Sequence, residues 1–137
     1  MTNALRGLVD AKLNTLKETY QIKDIGYRVA SDQKMYPHIV WFIDNVAPTD
    51  MGRHDYTITF HVWGRQESDV FDIMDGIVEL LAFDNDPNEE ILPTFYDVSR
   101  GTIDDPDKTL VHGVVRCSCQ VYASNVTDNN ILHLYIS

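Results

Sequence analysis

The chain predicts an α+β fold, an antiparallel or mixed β-sheet with two main helices packed on it, in one domain spanning residues 1–137. Three observations lead there. From Tyr56 onward the sequence alternates, with Tyr56, Ile58, Phe60 and Val62 on one face and Thr57, Thr59, His61 and Trp63 on the other, the period of two of a strand with one buried face. After Gly64 the period lengthens, and Val70, Phe71, Met74, Ile77, Val78 and Leu81 draw an apolar stripe along a helix of about 14 residues. With 137 residues and 44% hydrophobic content, the chain is the size of one domain that buries roughly 68% of its unfolded surface without a disulfide or metal. Neither apolar face can be buried alone, so the helix folds back on the sheet, and Tyr56, Ile58, Phe60, Val62, Val70, Met74, Ile77 and Leu81 form the shared core.

In chain order, Thr2 or Asn3 caps a first helix that carries Leu5, Leu8, Val9, Leu13, Leu16 and Tyr20 on one stripe and runs to about Glu18. Gly26 opens an extended segment, Tyr27 to Ala30, and Ser31 to Lys34 is a polar turn. The next apolar run, His38 to Ile43, is a strand with Pro37 at its start, since proline cannot donate to a ladder. Asp44 to Asp55, with Pro48, Gly52 and three aspartates, reads as a long exposed loop. Ser68 is the expected N-cap of the second helix, with Asp69 and Asp72 in its first turn, where the helix dipole favours negative charge. That helix stops near Phe83, before the turn formers of Asp84 to Asn88. A strand is expected at Thr94 to Ser99, and a loop from Gly101 to Lys108. Thr109 to Ala123 then alternates, with Val111, Gly113, Val115, Cys117, Cys119 and Val121 on one face and His112, Val114, Arg116, Ser118, Gln120 and Tyr122 on the other. Residues 124–137, with the apolar run Ile131 to Ile136, are an extra edge strand or an arm reaching a neighbouring subunit.

No catalytic or metal signature emerges. Cys117 and Cys119 lie two apart on one strand face and lack the second ligand pair of a structural zinc site, so they read as small buried hydrophobes. The five histidines form no HExxH, although His61 and His112 could meet across the sheet and share a ligand. There is no nucleophile elbow and no phosphate-binding glycine loop. We therefore expect no cofactor and no metal. The net charge of -10 opposes tight binding to nucleic-acid phosphates, whose affinity comes from Lys and Arg, but not a surface past which nucleic acid slides. No apolar stretch approaches the 18 or so residues of a membrane span. The acidic residues from Asp84 to Asp107 read as solvated loops, a channel wall or a calcium site; Asp104-Asp105-Pro106-Asp107 lacks the glycine and terminal glutamate of an EF-hand loop.

The segments RHDYTITFHVWGR, DVFDIMDGIVELL and DKTLVHGVVRCSCQVYA, in that order after an N-terminal helix, resemble the tail-terminator, or tail-completion, proteins of long-tailed bacteriophages. The likeness runs from about residue 5 to residue 123 and is carried by Arg53-His54, Trp63, Arg65, Thr109, His112, Gly113 and Arg116. It implies a structural virion protein without enzymatic activity, made in the host cytoplasm, that forms a homo-oligomeric ring, usually a hexamer. Such a ring caps the tail tube, ends its polymerisation and offers a surface to the head-tail connector, while DNA passes through without specific binding. In such a ring the loop carrying Asp104, Asp105 and Asp107 is expected nearest the lumen. The alternatives are a head-completion or neck connector protein, and a small ligand-binding or enzymatic α+β domain built on His61 and His112.

Overall fold

A computed structural model describes residues 2–30, 35–48, 53–82 and 91–123. Helix α1, Thr2–Thr19, buries Leu5, Leu8, Val9, Leu13 and Leu16 along one stripe. Its end is a Schellman turn: Gln21 adopts a left-handed φ of 52°, and Ile22 N donates to Lys17 O at 3.0 Å, which satisfies an orphan carbonyl and drops the Ile22 side chain into the core. The Thr2 hydroxyl lies 3.1 Å from the Tyr56 hydroxyl and so ties the start of α1 to the sheet.

Strand β1, Asp24–Tyr27, comes earlier than the expected Tyr27 to Ala30, because Arg28 takes a positive φ of 71° and breaks the extended run. Gly26 is required there, since an added Cβ would stand 2.3 Å from the Val29 carbonyl oxygen. Strand β2, His38–Pro48, starts immediately after Pro37, and strand β3, Arg53–Gly64, pairs with it antiparallel as far as Pro48 opposite His54. The long loop expected from Asp44 to Asp55 is therefore absent. Its described residues, 44–48 and 53–55, belong to paired strands, residues 49–52 lie outside the described residues, and the shift of register between Ile43 and Asn45 breaks the alternation that would have revealed the pairing.

Helix α2, Glu67–Ala82, begins one residue before Ser68, and Val70 N bonds Gln66 O at 3.3 Å, so Gln66 and not Ser68 occupies the capping position. Its buried stripe is Val70, Ile73, Met74, Ile77 and Leu81, with Gly76. Phe71, expected on that stripe, is 42% exposed, since the stripe is centred on Val70 and Met74 and leaves Phe71 beyond its edge. Strand β4, Ile91–Ile103, is far longer than the expected Thr94 to Ser99 and absorbs Gly101 to Ile103 from the expected loop. Asp97, at φ 51°, sits in a bulge between Tyr96 and Ser99. Strand β5, Val111–Ala123, pairs antiparallel with both β3 and β4.

Among the described residues the sheet is mixed, in the order β1-β2-β3-β5-β4, with β1 and β2 parallel and the other neighbours antiparallel. The fold is thus α+β, with two helices on a five-stranded sheet among the described residues. Both helices lie on one face: α2 packs on β5 and β3, and α1 packs beside it. Under them lie Ile39, Trp41, Tyr56, Ile58, Phe60, Val62, Val115, Cys117, Cys119 and Val121, with Val70, Met74, Ile77 and Leu81 facing them from α2. The close approach of α2 depends on Gly113, where a Cβ would come within 2.6 Å of the Met74 sulfur and 2.8 Å of Val70 Cγ1. The expected turns at Ser31 to Lys34 and Asp84 to Asn88, and the arm or edge strand of residues 124–137, lie outside the described residues.

Candidate functional site

Among the described residues no helix covers the other face of the sheet, and its rings gather at one end. The register sets His38 opposite Trp63 and Trp63 opposite His112, which makes a row across β2, β3 and β5. Trp63 stacks on His112 with centroids 4.3 Å apart and meets His38 at a tilt, 4.9 Å away. Tyr36 extends the row beyond His38, at 4.9 Å, and carries the Arg65 guanidinium 4.8 Å over its ring. Two residues back along β3, on the same face, His61 lies between Phe42 and His112, 5.7 Å and 5.0 Å away.

The polar atoms of this row are linked as well as stacked. His61 Nδ1 and His112 Nε2 are 2.8 Å apart, so one imidazole donates to the other. On the far side of His112, Nδ1 stands 3.6 Å from Asp105 Oδ2, which also accepts the Trp63 indole N–H at 2.9 Å. The carboxylate favours a proton on His112 Nδ1, which leaves Nε2 to accept from His61. Asp105 Oδ1 accepts the Asp107 N–H at 2.9 Å, and Asp107 in turn accepts both the backbone N–H and the hydroxyl of Thr109. The Asp107 N–H, the Trp63 indole and His112 hold the Asp105 carboxyl below the usual carboxylate range, and the Thr109 bonds do the same for Asp107.

Burial lowers both imidazoles. For His61 the Arg116 guanidinium adds to the effect; for His112, burial and His61 outweigh the opposing pull of Asp105. Below the ordinary value of 6.5 the unfolded chain therefore takes up protons before the folded protein does, so stability is full above that pH and falls as pH drops through it. Asp105 behaves differently: its contribution persists to lower pH and is lost only below the ordinary carboxylate value of 3.8. Thermal melts from neutral pH to pH 5 should show a falling melting temperature, and His61→Gln should flatten that slope; equal slopes in the variant and the parent would assign the effect elsewhere.

Beside this row lies a polar triad. Thr59 donates to Asp44 Oδ2 at 2.7 Å and accepts from Arg116 Nε at 3.3 Å. A shallow cleft of about 280 Å³ opens next to it, lined by His61, Ser99, Val114 and Arg116.

Of the residues singled out in the sequence, His61 and His112 are brought into contact, and Arg65 and Trp63 join them. Asp104, Asp105 and Asp107 do not share one environment: Asp104 is exposed, Asp105 is folded onto Trp63 and His112, and Asp107 caps its own turn. Arg53 pairs with Asp55 at 3.5 Å, away from the row of rings. Cys117 and Cys119 are free and buried, and burial pushes the Cys117 thiol up to about 12 and Cys119 further, so neither is a ready nucleophile. Among the described residues no three His, Cys, Asp or Glu side chains are grouped to hold a metal ion, and no described helix is long and apolar enough to cross a membrane. Sequence reading missed His38 and Tyr36 as members of the row. His38 is separated from His112 by two strand pairings whose register no local pattern gives. No protein-family model matches the chain, and no curated protein matches it either.

Proposed function

We propose that the chain is a structural subunit of a phage tail, forming a ring that caps the tail tube, ends its polymerisation and presents a surface for head-tail joining. The observation that carries the ring is the pair of sheet edges. At one end β4 is a thirteen-residue edge strand bearing exposed Tyr96, Val98 and Ile103, the last 52% exposed. At the other, β1 is the edge strand, and exposed Val29 (72%) and Met35 (53%) lie in the connection that leads from it to β2. Exposed apolar side chains on the β4 edge and beside the β1 edge favour a heterologous contact, in which one subunit's edge meets its neighbour's opposite edge, and such contacts form a ring where the rotation between subunits closes. The resemblance of Arg53 to Arg65 and Lys108 to Ala123 to tail-terminator sequences gives the ring its place in the virion, and the net charge of -10 suits a passage that DNA must cross without adhering. Asp104, exposed and outside the bonded turn of Asp105, Asp107 and Thr109, is the acidic residue proposed to face the lumen. Native mass spectrometry of the purified protein together with tail tubes should find a closed homo-oligomer, a hexamer by the family resemblance, on the tube end. A protein that stays monomeric with and without tubes would overturn the ring.

A second reading has one observation in its favour. The Asp105–His112–His61 chain ends beside the cleft that holds Ser99 and Arg116, an arrangement in which a carboxylate orients one imidazole and that imidazole orients the next. A ligand-binding or enzymatic monomer would use that cleft, and binding of a small anion there that His61→Gln abolishes would favour it over the ring.

A further inference from the structure

The cleft of about 280 Å³ beside the polar triad is lined by one cation whose charge the fold leaves unmatched. Arg116 is held there through Nε, which donates to the hydroxyl of Thr59; Thr59 is 0% exposed and donates in turn to Asp44. Among the described residues no carboxylate stands within ion-pair distance of Arg116, and no acceptor bonds its two terminal nitrogens. Arg100 also lines the cleft, but its guanidinium is paired with Asp75 of α2. Arg116 is therefore a positioned fork whose outer donors are open to an oxyanion, and exposed Ser99 adds a hydroxyl to the same cleft.

His61, which also lines the cleft, works in the opposite sense. Its ring stacks on Phe42 and on Trp63, with centroids 5.7 Å and 5.6 Å away, so a ligand in the cleft meets it at its edge. Nδ1 is spent on His112 Nε2, 2.8 Å away. Because the Asp105 carboxylate favours the His112 proton on Nδ1, His61 donates through its own Nδ1, and its Nε2 keeps a lone pair. Burial and the Arg116 charge both resist protonation of that ring, so it is neutral at neutral pH. The cleft thus joins a cation that attracts anionic oxygen to a nitrogen that accepts a proton.

We infer that this cleft binds an oxyanion that brings its own hydroxyl proton, the chemistry shared by hydrogen phosphate and a phosphomonoester monoanion. The anionic oxygens would accept from the Arg116 fork and the Ser99 hydroxyl, and the P–OH would donate to His61 Nε2. Sulfate has the same shape but no proton at neutral pH, so it would set an oxygen lone pair against that of Nε2 and is disfavoured. Asp105 and His112 are positioning residues, acting through His61 without touching the ligand. The inference deepens the ligand-binding reading of the same cleft and rests on it.

The test is a titration of the folded chain with sodium phosphate and, separately, sodium sulfate, at one ionic strength set by chloride and read from the His61 imidazole resonances in NMR. At about pH 7.5 phosphate should saturate the site about ten-fold more tightly than sulfate, since one hydrogen bond is made in the first complex and opposed in the second. Bound sulfate needs a proton on His61 Nε2 and bound phosphate does not, so sulfate should tighten as pH falls to about 5.5 and the gap should close. Arg116→Gln, at an exposed position, should weaken both anions. Asp105→Asn removes the charge that fixes the proton positions and should narrow the gap at about pH 7.5. If that variant does not fold, the comparison of the two anions across pH in the parent chain still decides. Phenyl phosphate separates the two sources of the ligand. Above its last pKa of about 6 it has no proton and should bind like sulfate; below it, binding tighter than phosphate assigns the phosphoryl group of a larger molecule, and weaker binding assigns free phosphate. Equal affinity for phosphate and sulfate at neutral pH, both lost in Arg116→Gln, would overturn the inference and leave the cleft an unselective anion site. No saturable binding of either anion would overturn the ligand-binding reading with it.

Discussion

Phe60→Ala should lower the free energy of unfolding by about 3 to 5 kcal/mol, a large part of the roughly 5 to 15 kcal/mol that holds a domain folded. Phe60 is fully buried at the centre of β3, stacks on Trp41 with centroids 5.9 Å apart, and lies beneath the helices. Its removal leaves a cavity bordered by the sheet on one side and by α2 on the other, and neither can collapse without moving a whole element. Met74→Ala, on the facing helix, should cost about 2 to 5 kcal/mol by the same mechanism. The neighbouring position gives the useful contrast. From the alternation alone Thr59 belongs to the outward face and should be cheap to replace, yet it is 0% exposed and bonds both Asp44 and Arg116. Thr59→Val should therefore cost about 1 to 3 kcal/mol, through unmade hydrogen bonds and not through a cavity. Urea melts of the three variants check this: equal losses at Phe60 and Thr59 would show that the core does not lie under the helices as described.

If the proposed ring forms through the β4 edge, Val98→Glu combined with Ile103→Glu should abolish it while leaving the subunit folded. Both side chains project from the edge strand β4, away from the core, so a charge there is hydrated in the free subunit and costs it little. In a subunit interface the same carboxylates would be desolvated without partners, a penalty of several kcal/mol at every contact of the ring. Sedimentation velocity and circular dichroism read the two effects separately. Loss of oligomer with an unchanged melt of the subunit is the expected pair of results, and an intact oligomer would move the interface off this edge. The equivalent change at Phe71 is a control. It is exposed on α2 and not on a sheet edge, so Phe71→Glu should leave the proposed ring in place.

What the sequence shows and what it hides have physical causes. The central strand and the two helices were legible because each buries one face only, and burial imposes a period: Tyr56, Ile58, Phe60 and Val62 at two, Val70, Met74, Ile77 and Leu81 at three and four. β4 was underestimated because an edge strand with exposed residues on both faces has no period, and Pro93, Asp97 and Gly101 give it the composition of a loop. The pairing of β2 and β3 was hidden by the irregularity after Ile43, which displaces the alternation by one residue. The row of rings was half visible. His61, Trp63 and His112 shared an outward parity, but the pairings that place Trp63 beside both His38 and His112 are long-range, and no local spacing carries them. Asp105 was grouped with Asp104 and Asp107 on charge alone. Its engagement by the Trp63 indole means that reversing all three to Lys would disrupt the site as well as the charge, so Asp104→Lys is the cleaner probe of a lumen.

The most direct measurement is the length of tail tubes, by electron microscopy, in particles made without this chain. If the chain ends tube polymerisation, its deletion should leave filled heads without tails and a population of tubes that run past their normal length, because nothing halts subunit addition. Supplying the chain in trans should restore the length, and the Val98→Glu, Ile103→Glu variant should fail to do so. Tubes of normal length beside heads that leak or fail to join would contradict a tail terminator and point to the neck.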